Sequence, residues 1–311
     1  MEMKVTISAY EFLKQFPNEK TARSYLETRR WNGQPVCPHC GSVERIQTRK
    51  VEGYFRCLSC KTDFTVRTGT IFERSHVPLD KWLFAMYLIA TSRKGISSLQ
   101  LSKELGVTQK TAWFMLQRIR EACGNDNDDD DSNGFLQGIV EADETFIGGK
   151  ETNKHKNKKL NAGRGIVGKM VVLGIRERDG HVKASVIDGT SALAIHAQVR
   201  NAVAPGSILC TDEHAAYRGM PEYSHHIVNH SAKQYVDGMA HTNGIESVWA
   251  VLKRGFYGIY HSFSAKHLQR YVNEFSYRLN EGNVRVHTMD RIDAIIGKTV
   301  GARLTYAALI S

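Results

Sequence analysis

Two pairs of cysteines constrain the N-terminal part of this 311-residue chain more than any other feature. Cys37 and Cys40 enclose two residues, and after 16 further residues Cys57 and Cys60 repeat the spacing. Two CxxC knuckles on facing hairpins can surround one metal ion, and four thiolates favour tetrahedral zinc. Because four thiolates leave no open coordination position, we predict a structural zinc ribbon over residues 34–76. The alternative, a redox CxxC pair, would need a thioredoxin-like βαβ setting, which the sequence lacks.

Helical patterns flank the cysteine segment on both sides. Residues 1–33 form a predicted helical segment with a break near Pro17. After the ribbon, Pro78 opens an apolar helix, a place that proline tolerates because its missing N–H would have no intrahelical partner there. The apolar run WLFAMYLIA in this helix is too short to cross a membrane, so we interpret it as a buried helix.

The region 77–123 ends with the spacing of a helix-turn-helix. A tight turn at Gly106 separates two helical segments, and Thr108 is in position to cap the second one. In a DNA-binding helix-turn-helix, the N-terminal residues of the second helix lie nearest the bases. A plain helical hairpin would show the same pattern. The candidate DNA contacts are Gln109, Lys110 and Thr111.

The charge of the chain indicates a polyanionic partner. The formal net charge is +10. Residues 1–123 contain 20 Lys and Arg against 11 Asp and Glu, and the residues after 134 contain 22 against 16. Two basic blocks of this kind are typical of nucleic-acid-binding proteins, although general solvation of the surface is an alternative.

A short acidic strip separates the two basic blocks. Residues 124–134, GNDNDDDDSNG, contain five aspartates and no residue suited to a core. Like charges extend such a segment, so we predict a linker and a domain boundary here. An acidic metal site is the alternative, but the strip lacks the apolar framing of a calcium loop.

The cellular location follows from what the sequence lacks. The first residues have no apolar core long enough for a secretory signal, and no run of 18 apolar residues occurs. We therefore expect a cytoplasmic protein without a membrane-spanning segment.

Beyond the linker, strand patterns alternate with helical patterns over residues 135–281. Five strands are predicted, in FLQGIVEADETFIGG, KMVVLGIRERDG, HVKASVIDG, GSILCTDE and HHIVNHS. The second and third are expected to form a hairpin at Asp179 and Gly180. Three helices are predicted, in SALAIHAQVRNAV, GIESVWAVLKRGF and SAKHLQRYVNEFSYRLN. This order predicts a mixed sheet covered by helices on both faces, in a multidomain α/β chain, while residues 282–311 form a C-terminal tail with no clear pattern.

Three carboxylates in the second block stand where a two-metal site would need them. Asp143 is expected at the end of the first strand, Asp212 follows the strand SILC, and Glu246 lies on a helix. Lys253 lies two turns further along that helix, within reach of a bound phosphate. Magnesium prefers hard oxygen ligands, and two such ions can catalyse phosphoryl transfer. An isolated acid at a strand end is usually a solvated cap, and other acids compete for the role: Glu141, Glu144, Asp188 and Glu213.

The motifs together resemble a known family. They are CPHCGS, CKTDFTVRTGTIFERS, VEADETFIGGK, TDEHAAY and the long block HTNGIESVWAVLKRGFYGIYHSFSAKHLQRYVNEFSYRLN. The chain resembles bacterial insertion-sequence transposases that have an N-terminal zinc ribbon and a DDE-type, ribonuclease H-like catalytic domain. The resemblance covers about residues 30–281.

This resemblance has definite chemical implications. It implies that Asp143, Asp212 and Glu246 bind Mg²⁺ or Mn²⁺ and that Lys253 is the accompanying base. The implied reaction is cleavage of DNA at the ends of the element, followed by attack of the freed 3′-hydroxyl on target DNA. The implied partners are double-stranded DNA, namely the terminal inverted repeats and the target, and further copies of the chain in a nucleoid-associated homo-oligomer.

A lysine-rich segment, KETNKHKNKK, follows the first aspartate at residues 150–159. Beside a nuclease site such a loop would bind phosphates, whereas a solvated, disordered loop is the equal alternative. The candidate DNA contacts in it are Lys154, Lys156, Lys158 and Lys159.

Three polar residues, His214, His241 and Asn243, lie next to the proposed acids in the sequence. Proton transfer and structural hydrogen bonding are both open as roles for them. We predict core positions for Trp249 and Phe256.

Three functions fit these patterns. The first is an active transposase. The second is a DNA-binding regulator, derived from a transposase, that has lost catalysis, and the complete acidic triad disfavours it. The third is a nuclease or resolvase of ribonuclease H-like fold without strand transfer, which has less need of a sequence-reading front end.

Overall fold

The computed structural model describes residues 5–125, 134–149, 155–159, 168–228 and 241–311. The chain divides into two compact units. The first consists of Met1–Asn127 together with Glu281–Ser311, and the second of Asp128–Asn280. The division between them falls in the acidic strip, of which residues 126–133 lie outside the described residues.

Two helices open the first unit, α1 (Ala9–Gln15) and α2 (Glu19–Trp31). Ser8 and Glu11 form a capping box at the start of α1, in which each side chain accepts a backbone N–H of the other residue. The side chain of Asn18 caps α2. The predicted break near Pro17 is confirmed, because Pro17 lies between the two helices.

The cysteine segment forms a three-stranded antiparallel sheet in the order β1–β2–β3. Its strands are β1 (Ile46–Thr48), β2 (Tyr54–Cys57) and β3 (Asp63–Thr65). The rings of Phe55 and Phe64 stack with centroids 5.6 Å apart, and Trp31 packs edge-on against both. This small aromatic core attaches the ribbon to the end of α2, and edge-to-face contacts of this kind stabilise it.

Three helices follow the ribbon: α3 (Leu79–Thr91), α4 (Ser98–Leu105) and α5 (Gln109–Cys123). Nine of the 13 residues of α3 are buried, which confirms that its apolar run is a core helix. Gly106 ends α4 in the left-handed conformation at φ 61°. The hydroxyl of Thr108 then accepts the Thr111 N–H and starts α5. The predicted pair of helices around a tight turn is therefore present.

The second unit is built on a five-stranded mixed sheet in the order β6–β5–β4–β7–β8. Its elements are β4 (Ile139–Ile147), β5 (Met170–Glu177), β6 (Val182–Ile187), α6 (Ala192–Ala202), β7 (Ile208–Thr211), β8 (Ser224–Ile227), α7 (Asn243–Gly255) and α8 (Leu268–Asn280). Strands β4, β5 and β6 are antiparallel neighbours, whereas β7 pairs in parallel with both β4 and β8. The mixed sheet is as predicted, and so is the β5–β6 turn, where Asp179 has φ 61°. Residues 229–231 of the predicted fifth strand lie outside the described residues.

Helices cover both faces of this sheet. On one face, Val140 and Ala142 of β4 belong to a buried cluster with Ile195 and Val199 of α6. On the other face, Val172 of β5 belongs to a second cluster that includes Ile245, Trp249, Leu268 and Phe275 of α7 and α8. Because side chains alternate along a strand and Val140 and Ala142 face α6, the odd-numbered neighbours Glu141 and Asp143 point towards α7. Asp143, the carboxylate of β4 that the sequence analysis proposed as catalytic, is one of them.

The chain returns to the first unit after residue 280. The segment that the sequence analysis set apart as a tail forms α9 (Thr288–Gly297) and α10 (Tyr306–Ile310) within that unit. Buried arginines hold it there: Arg291 donates to the Ala90 carbonyl at 2.9 Å, and Arg118 donates to the Leu304 carbonyl at 3.0 Å. The separate tail was therefore a wrong interpretation, since its partners are nearly 200 residues away in sequence. Across the described ranges, no helix combines the length and apolarity that crossing a membrane requires.

Candidate functional site

The four cysteines converge on one point of the ribbon. The Sγ atoms of Cys37 and Cys60 are 3.7 Å apart, those of Cys40 and Cys57 are 3.6 Å apart, and all four lie within 4.8 Å of one another. A regular tetrahedron with Zn–S bonds of about 2.3 Å has sulfurs separated by about 3.8 Å. The cluster therefore has the geometry of a four-thiolate zinc site. Among the described residues it is the one group of three or more His, Cys, Asp or Glu side chains close enough to share an ion.

The two knuckles of the ribbon use the same backbone turn. The N–H of Cys37 donates to the Ser42 carbonyl at 3.0 Å, and the N–H of Cys57 donates to the Thr62 carbonyl at 2.9 Å. In each case the acceptor lies five residues after the first cysteine of the pair. Each CxxC segment is thus closed locally, which turns both of its thiols towards the same side.

The proposed catalytic residues of the second unit line one cavity of about 460 Å³, which we call the carboxylate cavity. Its full lining is Asp143, Glu144, Thr145, Asp212, Thr242, Glu246, Trp249, Ala250 and Lys253. The structure therefore brings together all four residues that the sequence analysis singled out. It also adds Glu144, which was one of the competing carboxylates.

Strand register explains how the two aspartates meet. Strand β7 pairs with β4 in parallel up to Glu141 and Cys210. Continuing that register by two residues places Asp212, just after the end of β7, beside Asp143. The sequence analysis placed Asp143 at the end of its strand, but β4 continues to Ile147. Asp143 therefore lies within β4, at the point where the shorter neighbouring strand β7 ends.

Asp143 is held by the helix that crosses above it. The indole N–H of Trp249 on α7 donates to its Oδ2 atom at 2.8 Å. Gly174 on β5 is paired with Asp143, and a Cβ atom there would lie 2.5 Å from the Trp249 ring. The absence of a side chain on Gly174 thus lets the indole reach the carboxylate. Burial, and next the charge of Glu144, raise the pKa of Asp143 to about 7.

Asp212 is fixed by the short loop that follows β7. Its Oδ1 atom accepts the backbone N–H of His214 at 3.0 Å. The same loop contacts Glu144, since Tyr217 donates its hydroxyl to Glu144 Oε2 at 2.6 Å and His214 Nδ1 lies 3.5 Å from Glu144 Oε1. Glu144 therefore connects β4 to the loop that carries the second aspartate.

Glu246 and Lys253 lie on α7, with Glu246 in its first turn and Lys253 in its last. Both side chains are exposed at the cavity. The hydroxyl of Thr242, which precedes the helix, donates to Glu246 Oε1 at 3.2 Å. Seven residues are close to two helical turns, so the acid and the lysine share one face of the helix.

The lining of the carboxylate cavity suits divalent cations. It contains four carboxylates against a single lysine ammonium. Clustered like charges are unfavourable in a partly buried site, and hard oxygen donors are the ligands that Mg²⁺ and Mn²⁺ prefer. The charge and the donor type of the residues thus fit such ions, although the carboxylates are more widely spread than the cysteine sulfurs.

One residue that sequence reasoning undervalued is Glu141, which appeared there only as a competing acid. It is 1% exposed and is not part of the cavity lining. Its carboxylate accepts the N–H of Ile245 on α7 at 2.9 Å and pairs with Arg178 at 3.2 Å. His241, another residue of open role, has its Nδ1 atom 3.2 Å from Glu141 Oε1. The spacing of two residues from Asp143 on one strand was the available signal that both acids face α7.

The other predictions for this unit and for the DNA contacts have mixed outcomes. Trp249 and Phe256 are buried, as predicted.

The candidate DNA contacts of the first unit lie in the first turn of α5, where Gln109 and Lys110 are exposed and Thr111 is half-buried. The Lys110 ammonium lies 4.8 Å from the centre of the Tyr306 ring. In the lysine-rich segment, Lys154 lies outside the described residues, Lys156–Lys158 forms a 3₁₀ turn, and Lys159 follows it. The contribution of these residues to DNA binding stays a prediction.

Comparison with known proteins agrees with this two-part architecture. Residues 135–280 match the ISXO2-like transposase domain, and residues 17–63 match the transposase zinc-ribbon domain. The matches fall on the second unit and on the ribbon of the first. Residues 135–280 and residues 17–63 are thus similar to the two kinds of domain that the descriptions of these families assign to transposases.

Two individual proteins are similar to parts of the chain. A protein of Halobacterium salinarum described as "Uncharacterized protein in transposable element ISH50" is 29% identical over 281 residues, which cover 86% of this chain and 92% of that protein. A solved structure, "Crystal structure of a pre-cleavage Mos1 transpososome", is 11% identical and covers 66% of this chain and 73% of that chain. The TM-score of this similarity is 0.27.

Proposed function

We propose that the protein is an active DNA transposase that cuts the ends of its own element and joins them to target DNA. The observation that carries this proposal is the convergence of Asp143, Asp212, Glu246 and Lys253 on one cavity. They lie on a strand, a loop and a helix. In the chain, 68 residues separate Asp143 from Asp212, and 33 residues separate Asp212 from Glu246. The match of residues 135–280 to a transposase domain supports the same proposal.

Asp143, Asp212 and Glu246 would hold the divalent ions, which we take to be Mg²⁺ or Mn²⁺. When bound, a pair of such ions activates the attacking oxygen and stabilises the leaving oxygen of an in-line phosphoryl transfer. The two proposed reactions, hydrolysis and strand transfer, both have an oxygen nucleophile at phosphorus. One cavity is therefore sufficient for both.

The other residues of the cavity have supporting roles in this proposal. Trp249 would hold the Asp143 carboxylate in place through its hydrogen bond to Oδ2, so that this carboxylate stays at the cavity. The Lys253 ammonium, exposed at the cavity, would contact a phosphate oxygen of the DNA. Glu144 is engaged by Tyr217, so we assign it to holding the Asp212 loop rather than to the reaction.

The first unit would select the DNA. We propose that the four cysteines bind structural zinc and that α5 enters the major groove with Gln109, Lys110 and Thr111 foremost. The partners would be double-stranded DNA with the terminal inverted repeats, target DNA, and further copies of the chain that bring two ends together. The lysines at 154, 156, 158 and 159 would add contacts to phosphates that depend on salt.

The proposal is tested by Asp212→Asn in the full chain, with DNA fragments that carry the inverted repeats of its own element. We expect binding of the fragment to stay unchanged and cleavage in Mg²⁺ to be abolished. The matched control is Asp188→Asn, since Asp188 is exposed in the same unit but lies outside the carboxylate cavity. Cleavage by Asp212→Asn at the control rate would overturn the assignment. A wild-type chain that binds the ends but cuts in neither Mg²⁺ nor Mn²⁺ would favour the silent regulator.

A further inference from the structure

We propose that Glu141 is a positioning residue for Glu246: it caps helix α7 from the neighbouring strand, so that the Thr242 hydroxyl is directed to the Glu246 carboxylate instead. The inference rests on the proposed function, because it assigns Glu246 to metal binding. Glu141 and Thr242 do not belong to the proposed catalytic residues. Their role would be to hold one of those residues, Glu246, in place.

The start of α7 differs from most of the other helix starts in how its backbone N–H groups are satisfied. In seven helices of the described chain, the residue before the helix caps a free N–H with its own side chain: Ser8, Asn18, Ser97, Thr108, Ser191, His287 and Thr305. Thr242 is a residue type well suited to that role, yet it makes no such cap. The N–H of Ile245, at the third helical position, donates to Glu141 Oε2 instead, at 2.9 Å. The cap is thus supplied by a side chain more than 100 residues earlier in the chain.

The environment of Glu141 shows that this contact is built into the fold. A buried carboxylate is costly unless it is paired and hydrogen-bonded. Glu141 is 1% exposed, and its Oε1 atom pairs with Arg178 at 3.2 Å while Oε2 receives the helix N–H. The positive end of the helix dipole adds a favourable interaction with the same negative charge.

Gly244 provides an independent observation. A Cβ atom at this position would lie 2.5 Å from Glu141 Oε2, a distance that real contacts do not show. Arg176 Nη1 would lie 3.1 Å from the same Cβ atom, and it donates to the Gly244 carbonyl at 2.7 Å. Glu141 and Arg176 thus both approach the second residue of α7, where glycine leaves room for them.

The consequence for the carboxylate cavity lies in Thr242. Its side chain is 2% exposed, lines the cavity and donates its hydroxyl proton to Glu246 Oε1 at 3.2 Å. A hydroxyl that also capped the helix would have to point at the backbone N–H of the third position. Because Glu141 fulfils that role, the Thr242 hydroxyl can hold the otherwise exposed Glu246 side chain in one orientation.

The experiment measures Mn²⁺ binding to the zinc-loaded full chain by electron paramagnetic resonance, together with thermal unfolding and cleavage of end DNA. Asp212→Asn is measured first, and its loss of Mn²⁺ affinity identifies the site. We expect Glu141→Gln and Gly244→Ala to weaken Mn²⁺ binding about tenfold, the lower range for residues that orient metal ligands. Gly258→Ala is the matched control, because nothing lies within 4 Å of a Cβ at Gly258.

Thr242 keeps the inference testable if the Glu141 variants fold poorly. We expect Thr242→Val to weaken Mn²⁺ binding as much as Glu141→Gln does, and Thr242→Ser, which keeps the hydroxyl, to restore most of the affinity. The double variant Glu141→Gln with Thr242→Val should bind no more weakly than either single variant, since both act on the same contact. A lower unfolding temperature with unchanged Mn²⁺ affinity in Glu141→Gln, or equal affinity in Thr242→Val and wild type, would overturn the inference. A wild-type chain without Mn²⁺ binding would overturn the proposed function and this inference together.

Discussion

The cysteine cluster and the carboxylate cavity are both predicted metal sites, but they are assembled in opposite ways. The cysteines come from two short turns that close on themselves, and their sulfurs lie within 4.8 Å of one another. The carboxylates come from a strand, a loop and a helix, and they surround a cavity of about 460 Å³. A closed set of ligands suits an ion that only holds the fold together, whereas an open set leaves room for a substrate. Local spacing is therefore enough to build the first kind of site, whereas the second kind forms only when the whole domain is folded.

The largest effect should come from removal of the zinc ligands. Structural zinc contributes about 10–16 kcal/mol of apparent folding free energy in zinc-finger peptides, so Cys57→Ser should unfold the ribbon. We expect loss of bound zinc, rapid proteolysis between residues 34 and 76, and loss of binding to end DNA. Mn²⁺ binding at the carboxylate cavity should persist, because the cavity lies in the other unit. Unchanged DNA binding after verified zinc loss would separate the ribbon from DNA selection.

A second substitution tests whether the carboxylate cavity depends on packing at a distance. Gly174→Ala would place a Cβ atom 2.5 Å from the Trp249 ring. Overpacking of this kind costs about 1–3 kcal/mol, so the unfolding temperature and the cleavage rate should both fall. The control is Gly258→Ala, which has open space for the new methyl group. If Gly174→Ala were as stable and as active as this control, the close approach of Trp249 to Asp143 would not matter.

The hydrogen bond between Trp249 and Asp143 can be tested by Trp249→Phe. This change keeps an aromatic ring but removes the N–H that donates to Asp143 at 2.8 Å. A buried acceptor left without its donor costs about 1–3 kcal/mol, and the Asp143 Oδ2 atom would lose the contact that holds it. We expect weaker Mn²⁺ binding and slower cleavage, measured with the same end DNA. Full activity in Trp249→Phe would limit the indole to a packing role.

The smallest effect is expected in the proposed helix-turn-helix region. Lys110 is exposed at the start of α5, where it would meet DNA phosphate. Lys110→Ala should weaken end binding by a few-fold and lower the dependence of log K on log salt by about one. Lys14→Ala, an exposed lysine on α1, serves as the control. Equal salt slopes in both variants would place the DNA interface away from the start of α5.

The same difference between the two sites explains how much the sequence could predict. The spacing of Cys37, Cys40, Cys57 and Cys60 is local, so the zinc ribbon was predictable from the residues alone. For the carboxylates, family resemblance was needed to choose Asp143, Asp212 and Glu246 among several acids. Their meeting depends on the register between β4 and β7, which a single sequence does not encode in any short motif.

Other parts of the structure were beyond sequence reasoning for the same physical reason. The cap from Glu141 to Ile245 and the contact of Trp249 over Gly174 join residues that are about 70 to 105 positions apart. Neither contact leaves a periodic pattern. The C-terminal segment has only a 10-residue and a 5-residue helix, each too short to be stable alone, and it gains its structure from packing in the first unit.

The most direct test of metal binding by the carboxylate cavity exchanges one carboxylate for a thiol. In Asp212→Cys the hard oxygen ligand becomes a soft sulfur, which binds Mg²⁺ poorly and Mn²⁺ better. Cleavage of end DNA would be measured in each metal for this variant, for wild type and for the control Asp188→Cys. We expect Asp212→Cys to be inactive in Mg²⁺ and to regain cleavage in Mn²⁺, while the control matches wild type in both metals. Cleavage by Asp212→Cys in Mg²⁺ at the wild-type rate would exclude Asp212 as a metal ligand.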